Sequence, residues 1–206
     1  YDRITMQRVR KVLQAHRQDP LIDLHSANQY NPRDGYINSA LLYMELFPYI
    51  DRLWFGEQFD YEKSTPAYWL TEISGIPYGL MGEMLQNDGN PWRGMLFGMT
   101  SRLGWSPKSD PRPLWKLWDA FGIAKAEMIG WWVHDAPVKT GRDDVLATSY
   151  VRKGQGTLVA LASWAPERAE VKLAIDWKAL GLNPAKVKLV APEVPGFQPA
   201  AAFKPG

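Results

Sequence analysis

The sequence has no cysteine, so disulfides and thiolate metal sites are excluded from its chemistry. It has only three histidines, His16, His25 and His134, which fall in stretches that read as structurally unrelated, so a multi-histidine metal centre is not expected. No apolar run approaches the ~20 residues a membrane helix needs. A soluble chain is expected, with a periplasmic or secreted setting favoured and no membrane partner. Charge of one sign is lacking too: 24 basic residues face 22 acidic ones, leaving no electrostatic footprint for nucleic acid. Neither Gly-x-Ser-x-Gly nor a glycine-rich loop followed by Lys-Ser or Lys-Thr occurs, which removes serine-hydrolase and phosphate-loop chemistry. No cofactor is called for.

What is abundant is aromatic surface, with ten Trp, nine Tyr and seven Phe in 206 residues. Tryptophan's flat apolar face and single N–H suit both a core and the face of a sugar ring. Most of the ten are expected in cores, and a few as stacking platforms.

The chain is organised around Arg52-Leu-Trp-Phe-Gly-Glu-Gln-Phe-Asp-Tyr61, an apolar run that stops at a glycine and then delivers Glu57 and Asp60. In parallel α/β architectures the carboxyl ends of strands are where ligands bind, so an acid following a buried strand is placed for chemistry. The plain alternative is a solvated turn. Ahead of it, Asp2 to Gln18 reads as an amphipathic helix with Thr5, Val9, Val12, Leu13 and His16 on one stripe and Arg8, Lys11 and Arg17 outside. Leu21-Ile-Asp-Leu-His-Ser-Ala-Asn28 reads as a second short strand ending in polar groups. Alternation sends Asp23 and His25 to one side and Ser26 to the other, so these residues do not form a nucleophile triad. A turn at 31–35 and a helix from Ser39 to Leu46, stopped by Pro48, separate the two strands, which are expected side by side in one parallel sheet.

Ser64-Thr65-Pro66 caps a helix running to Ser74, and Gly75 ends it. Three glycines among residues 75–82 predict close backbone approach, with Glu83 an isolated acid just beyond. Residues 92–99 fit helix and strand equally. From Pro111, Leu114, Leu117, Trp118 and Phe121 keep helical spacing until Gly122. Beyond residue 140 the texture changes to alternating strands over 145–152, 157–164, 169–175 and 186–191, with a helical insert at 177–182. The expected fold is therefore α/β followed by all-β: a partial (β/α) barrel over 1–139 and an antiparallel β-sandwich over 140–206.

A β/α segment feeding a small sandwich, carried by Trp54-Phe-Gly-Glu-Gln-Phe-Asp-Tyr61, Gly75-Ile-Pro-Tyr-Gly-Leu-Met-Gly-Glu83 and Thr157-Leu-Val-Ala-Leu-Ala-Ser-Trp164, resembles the C-terminal portion of bacterial barrel glycoside hydrolases. The sandwich in particular looks like that of α-galactosidase-like and endo-α-N-acetylgalactosaminidase-like enzymes. A full (β/α)8 barrel takes ~250 residues. The resemblance therefore implies that the first strands are supplied by a longer precursor or by other chains.

It also implies a carbohydrate substrate and cleavage of a glycosidic bond by a carboxylic acid with a second carboxylate. Glu57 is the expected acid/base, with Asp60 and then Asp23 as internal candidates for its partner. His25, Asn28, Gln58 and Glu83 are expected to hydrogen-bond sugar hydroxyls, as Asp23 would if it is not the partner. Trp54 and Trp92 are expected to stack on a ring. The competing reading from another class is a non-catalytic carbohydrate-binding or scaffold subunit.

Overall fold

The computed structural model describes residues 2–25, 30–31, 36–37, 40–55, 62–84, 91–100 and 110–204. Two compact units divide the chain: Tyr1–Asn90 with Met99–Asp110, and Pro91–Gly98 with Pro111–Gly206.

The first unit opens with helix α1 (Asp2–His16), followed by strand β1 (Asp23–His25). A minimal hairpin comes next, β2 (Tyr30–Asn31) against β3 (Tyr36–Ile37). A 3-10 helix over Ala40–Tyr49 leads into β4 (Arg52–Phe55). As expected from their spacing, β1 and β4 are parallel neighbours, and β5 (Met81–Met84) joins the other edge of β4 to give the order β1-β4-β5. A three-stranded parallel sheet with helices beside it is what the described residues hold of a barrel, and no closed barrel is present among them.

The helix between β4 and β5 starts where its capping chemistry predicts. Thr65 Oγ1 accepts the Tyr68 amide, Pro66 takes the first helical position of α2 (Pro66–Tyr68), and the turn widens into a π-helix over Trp69–Ile73. Gly75, with φ 67°, ends it. Leu53, Trp69 and Ile73 are fully buried between this helical layer and the sheet. Gly82 marks the close approach that the glycine-rich stretch predicts: a Cβ there would lie 2.1 Å from the Ile73 carbonyl oxygen, and the Gly82 amide donates to Ser74 O at 2.7 Å.

Helix α1 corrects one expectation. The stripe of Val9, Val12 and Leu13 is exposed, Val12 by 59%, and His16 lies exposed at the helix end. The inward contact is made by Arg10, whose guanidinium donates to Tyr49 O, Pro20 O and the Asp51 carboxylate at 3.1, 2.9 and 2.7 Å. Three acceptors at the amino ends of β1 and β4 orient α1 more specifically than an apolar stripe with no facing groove.

The second unit begins with Pro91–Gly94 (α3) and a 3-10 turn over Met95–Phe97, which decides the ambiguous segment in favour of helix. Helix α4 (Arg112–Phe121) ends at Gly122 with φ 76°, as its periodicity predicts. Leu114 packs with Met95, Tyr150 and Ala160, and Leu117, Trp118 and Phe121 close over that core. The main sheet is antiparallel in the order β6 (Glu127–Ile129), β8 (Val145–Arg152), β9 (Gly156–Ser163). The antiparallel texture thus begins at residue 127, ahead of the boundary expected at 140, because the three-residue β6 is too short to declare an alternation.

Two small pairs complete the unit, β7 (Val138–Lys139) with β10 (Ala174–Ile175) and β11 (Leu189–Ala191) with β12 (Ala201–Phe203). Helix α5 (Trp177–Leu180) is capped by Asp176, which accepts the Ala179 amide at 2.9 Å. The strand expected over 169–175 is reduced to its last two residues. Its alternation survives, with Val171, Leu173 and Ile175 half-buried between exposed neighbours, but no ladder partner among the described residues faces 169–173. The strand expected over 186–191 likewise shortens to Leu189–Ala191, and these sheets are small rather than two broad layers.

Candidate active site

The parallel sheet arranges its strands in register rows. Asp23, Arg52 and Met81 form the first; Leu24, Leu53 and Gly82 the second; His25, Trp54 and Glu83 the third, the last row to which all three strands contribute, with the pair Phe55 and Met84 beyond it. The second row faces the helical layer, since Leu53 is fully buried and Gly82 abuts Ile73 and Ser74. The third row follows the first by one pleat repeat, about 6.6 Å further along the strands. The backbone therefore sets three of the candidates, His25, Trp54 and Glu83, side by side at the end of a parallel sheet where ligands bind in this class of fold.

Asp23 is committed to an interaction that the sequence did not announce. Its carboxylate accepts from Arg52 Nη2 at 2.5 Å across β1 and β4, with both side chains about a third exposed. A charge-assisted bond of this kind neutralises the acid and fixes Arg52 within the first row. Arg52 Nε is buried and makes no hydrogen bond among the described residues, leaving that donor over. The signal for this pair was a base and an acid opening two strands 29 residues apart, which becomes informative only once the register is known.

The amino ends of the strands are tied down from below. Asp51 accepts from Arg10 and from the Ile22 amide, at 2.7 and 2.8 Å, while its own amide donates to Ile22 O and its carbonyl accepts the Met81 amide. One residue thus links α1, β1, β4 and β5. Behind the sheet, burial pushes the Tyr68 and Tyr78 phenols above their ordinary range, and the nearby negative charge of Glu72 raises both further. Both stay protonated and neutral.

Glu57, Gln58, Asp60 and Asn28 lie outside the described residues. Along the chain, Asn28 comes three residues after β1 ends, and Glu57 two residues after β4 ends. Trp92 belongs to the second unit. Its ring is stacked on Phe197 with centroids 4.0 Å apart and planes 10° from parallel, and it packs on the Met95 core, so one ring face is already covered. Among the described residues no group of three or more His, Asp or Glu is gathered to hold a metal, and no helix is long and apolar enough to cross a membrane.

Two family models match in succession: the glycoside hydrolase 123 TIM-barrel domain over residues 1–104, and the glycoside hydrolase 123 C-terminal domain over residues 110–206. The chain belongs to glycoside hydrolase family 123. The match is to the family as such and singles out neither group of enzymes that the sandwich segment resembles. No curated protein and no solved structure matches the chain.

Family 123 membership gives the parallel sheet its context, since β1, β4 and β5 all lie inside the barrel-domain match. It also exposes a difference between sequence families and physical units. Pro91–Gly98 falls within the barrel-domain match, yet Met95, Leu96 and Phe97 are buried in the second unit. There Thr148 Oγ1 donates to Leu96 O at 2.7 Å, Tyr150 OH donates to Met95 O, and Arg93 donates to Ser163 O at 3.1 Å while standing over the Trp164 ring.

Proposed function

We propose that this family 123 chain contributes to a glycosidase active site at the carboxyl ends of β1, β4 and β5, with Glu57 as the general acid that protonates the leaving oxygen. The observation carrying this reading is the third register row, His25, Trp54 and Glu83, from whose middle strand the chain runs on to Gly56-Glu57. A polar, aromatic row at a strand end is what a sugar ring needs: hydroxyl partners beside an apolar face. Most glycosidases use a second carboxylate about 5 to 9.5 Å from the acid, according to stereochemistry. Asp60 is the internal candidate, whereas Asp23 is neutralised by Arg52 and serves better as the group that holds Arg52 in place.

We further infer that other strands, from a longer precursor or another chain, complete the sheet. The outer edges of β1 and β5 carry no ladder partner among the described residues, and Met81 beside Arg52 is 60% exposed, an arrangement that parallel sheets normally bury.

The test is Glu57→Gln in the form of the protein that turns over a glycoside. Loss of a proton donor costs roughly 10²–10⁴-fold on substrates with poor leaving groups, and far less on activated aryl glycosides that depart unaided. Equal losses on both would assign Glu57 to binding and favour a non-catalytic carbohydrate-binding subunit.

A further inference from the structure

The second unit contains a hollow of about 490 Å3 between the β8–β9 turn and the segment that follows α5. Gln155, Leu182, Asn183, Lys186, Val187 and Lys188 line it, and no acidic residue does. Three of the chain's arginines pair with carboxylates, in Arg10–Asp51, Arg52–Asp23 and Arg142–Asp144. Here Lys186 and Lys188 line one hollow with no acidic residue in its wall. A third, Lys153, packs at the rim with its Cγ 3.3 Å from where a Gly181 side chain would start.

The two amides in the wall have their acceptor atoms spent. Arg152 Nη2 donates to Gln155 Oε1 at 2.6 Å, and Arg152 is itself held by Phe121 O at 2.8 Å. The Ala185 amide donates to Asn183 Oδ1 at 3.0 Å. Each side chain is thereby oriented with its NH2 group left to offer. The wall therefore presents donors and positive charge, over half-buried Leu182 and Val187. Its volume lies within the range of small-ligand sites.

We propose that this hollow is an accessory binding site for an acidic saccharide, one whose ring carries carboxylate or sulfate groups. The anionic groups meet Lys186 and Lys188, the hydroxyl oxygens accept from Gln155 and Asn183, and the apolar face of the ring rests on Leu182 and Val187. The choice of a saccharide rests on the glycosidase reading, whereas the anion requirement rests on the wall alone. The site holds substrate and takes no part in bond cleavage.

The experiment is calorimetric titration of the full chain with trigalacturonate, with a sulfated galactose disaccharide, and with neutral maltotriose, each at low and high salt. Binding of one or both acidic sugars, weakened at least tenfold as salt rises from about 50 to 500 mM, is expected, with neutral maltotriose bound at least tenfold more weakly. Asn183→Asp keeps the acceptor that caps Ala185 but turns the donor into a carboxylate, so it should cost about tenfold in affinity with an unchanged thermal midpoint. The double variant Lys186→Ala/Lys188→Ala should cost more. Equal binding of maltotriose, indifference to these substitutions, or inorganic sulfate bound as tightly as the acidic sugars would overturn the proposal. Glu57→Gln separates the two readings, since it should leave this binding intact even where it abolishes turnover; a parallel loss would show that the sugar binds elsewhere.

Discussion

Arg10 Nη2 lies 2.7 Å from Asp51 Oδ2, and through that contact the first helix is fastened to the amino ends of the strands that carry the candidate site. The guanidinium also takes two backbone carbonyls, and its side chain is 15% exposed against 32% for the aspartate. Arg10→Ala strips three acceptors at once and leaves a partly buried carboxylate with only the Ile22 amide. A loss of about 2–4 kcal/mol is expected in urea unfolding followed at the first unit, with Arg10→Lys recovering only part of it. A change within 0.5 kcal/mol for Arg10→Ala would show the clamp to be incidental.

Gly82→Ala puts a methyl group into the Ile73 carbonyl, a backbone atom with no rotamer to change. Either β5 parts from the π-helix or the helix shifts, and a cost of about 3 kcal/mol or more follows from overpacking at this site. Gly79→Ala, at a turn with open space around it and φ 74°, should cost only the left-handed backbone penalty of about 1 kcal/mol. Comparable midpoints for the two variants would refute the packing argument.

Tyr150→Phe leaves the Met95 carbonyl with only the longer Gly98 amide contact, and Thr148→Val removes the hydroxyl donor from the Leu96 carbonyl, at about 1–3 kcal/mol apiece. Hydrogen exchange should accelerate at the Gly98 amide, which donates back to Met95 O, while the amides of β4 keep their rates. Unaltered exchange over residues 95–98 would mean that these hydroxyls do not hold the segment.

The alkaline limb of stability should carry the mark of the buried phenols. Burial raises Tyr150 and Tyr68 above the unfolded value near 10, so the folded state keeps protons that the unfolded chain releases. This contribution is complete below pH about 10 and is lost as pH climbs through the folded values. Tyr150→Phe should flatten the fall in unfolding free energy above pH 10, and an unchanged slope would count against it.

Local chemistry was legible in the sequence alone. Thr65-Pro66 and Gly75 bound a helix, Gly122 stopped another, the apolar run at Arg52 formed a strand, and its pairing with the strand at Leu21 followed from spacing. Caps, turns and periodicities act within a few residues, so a linear reading contains their causes. The row of His25, Trp54 and Glu83 was half legible, as acids and aromatics at strand ends, and became a row only through the register. Tertiary structure alone decided that Arg10 rather than Val12 turns inward, that Asp23 is spent on Arg52, and that Pro91–Gly98 packs with the second unit. It also decided that residues 169–173 find no strand to pair with among the described residues. The first three are choices of partner across 29 to 70 residues, where many pairings satisfy the same local pattern and only simultaneous packing and hydrogen bonding select one.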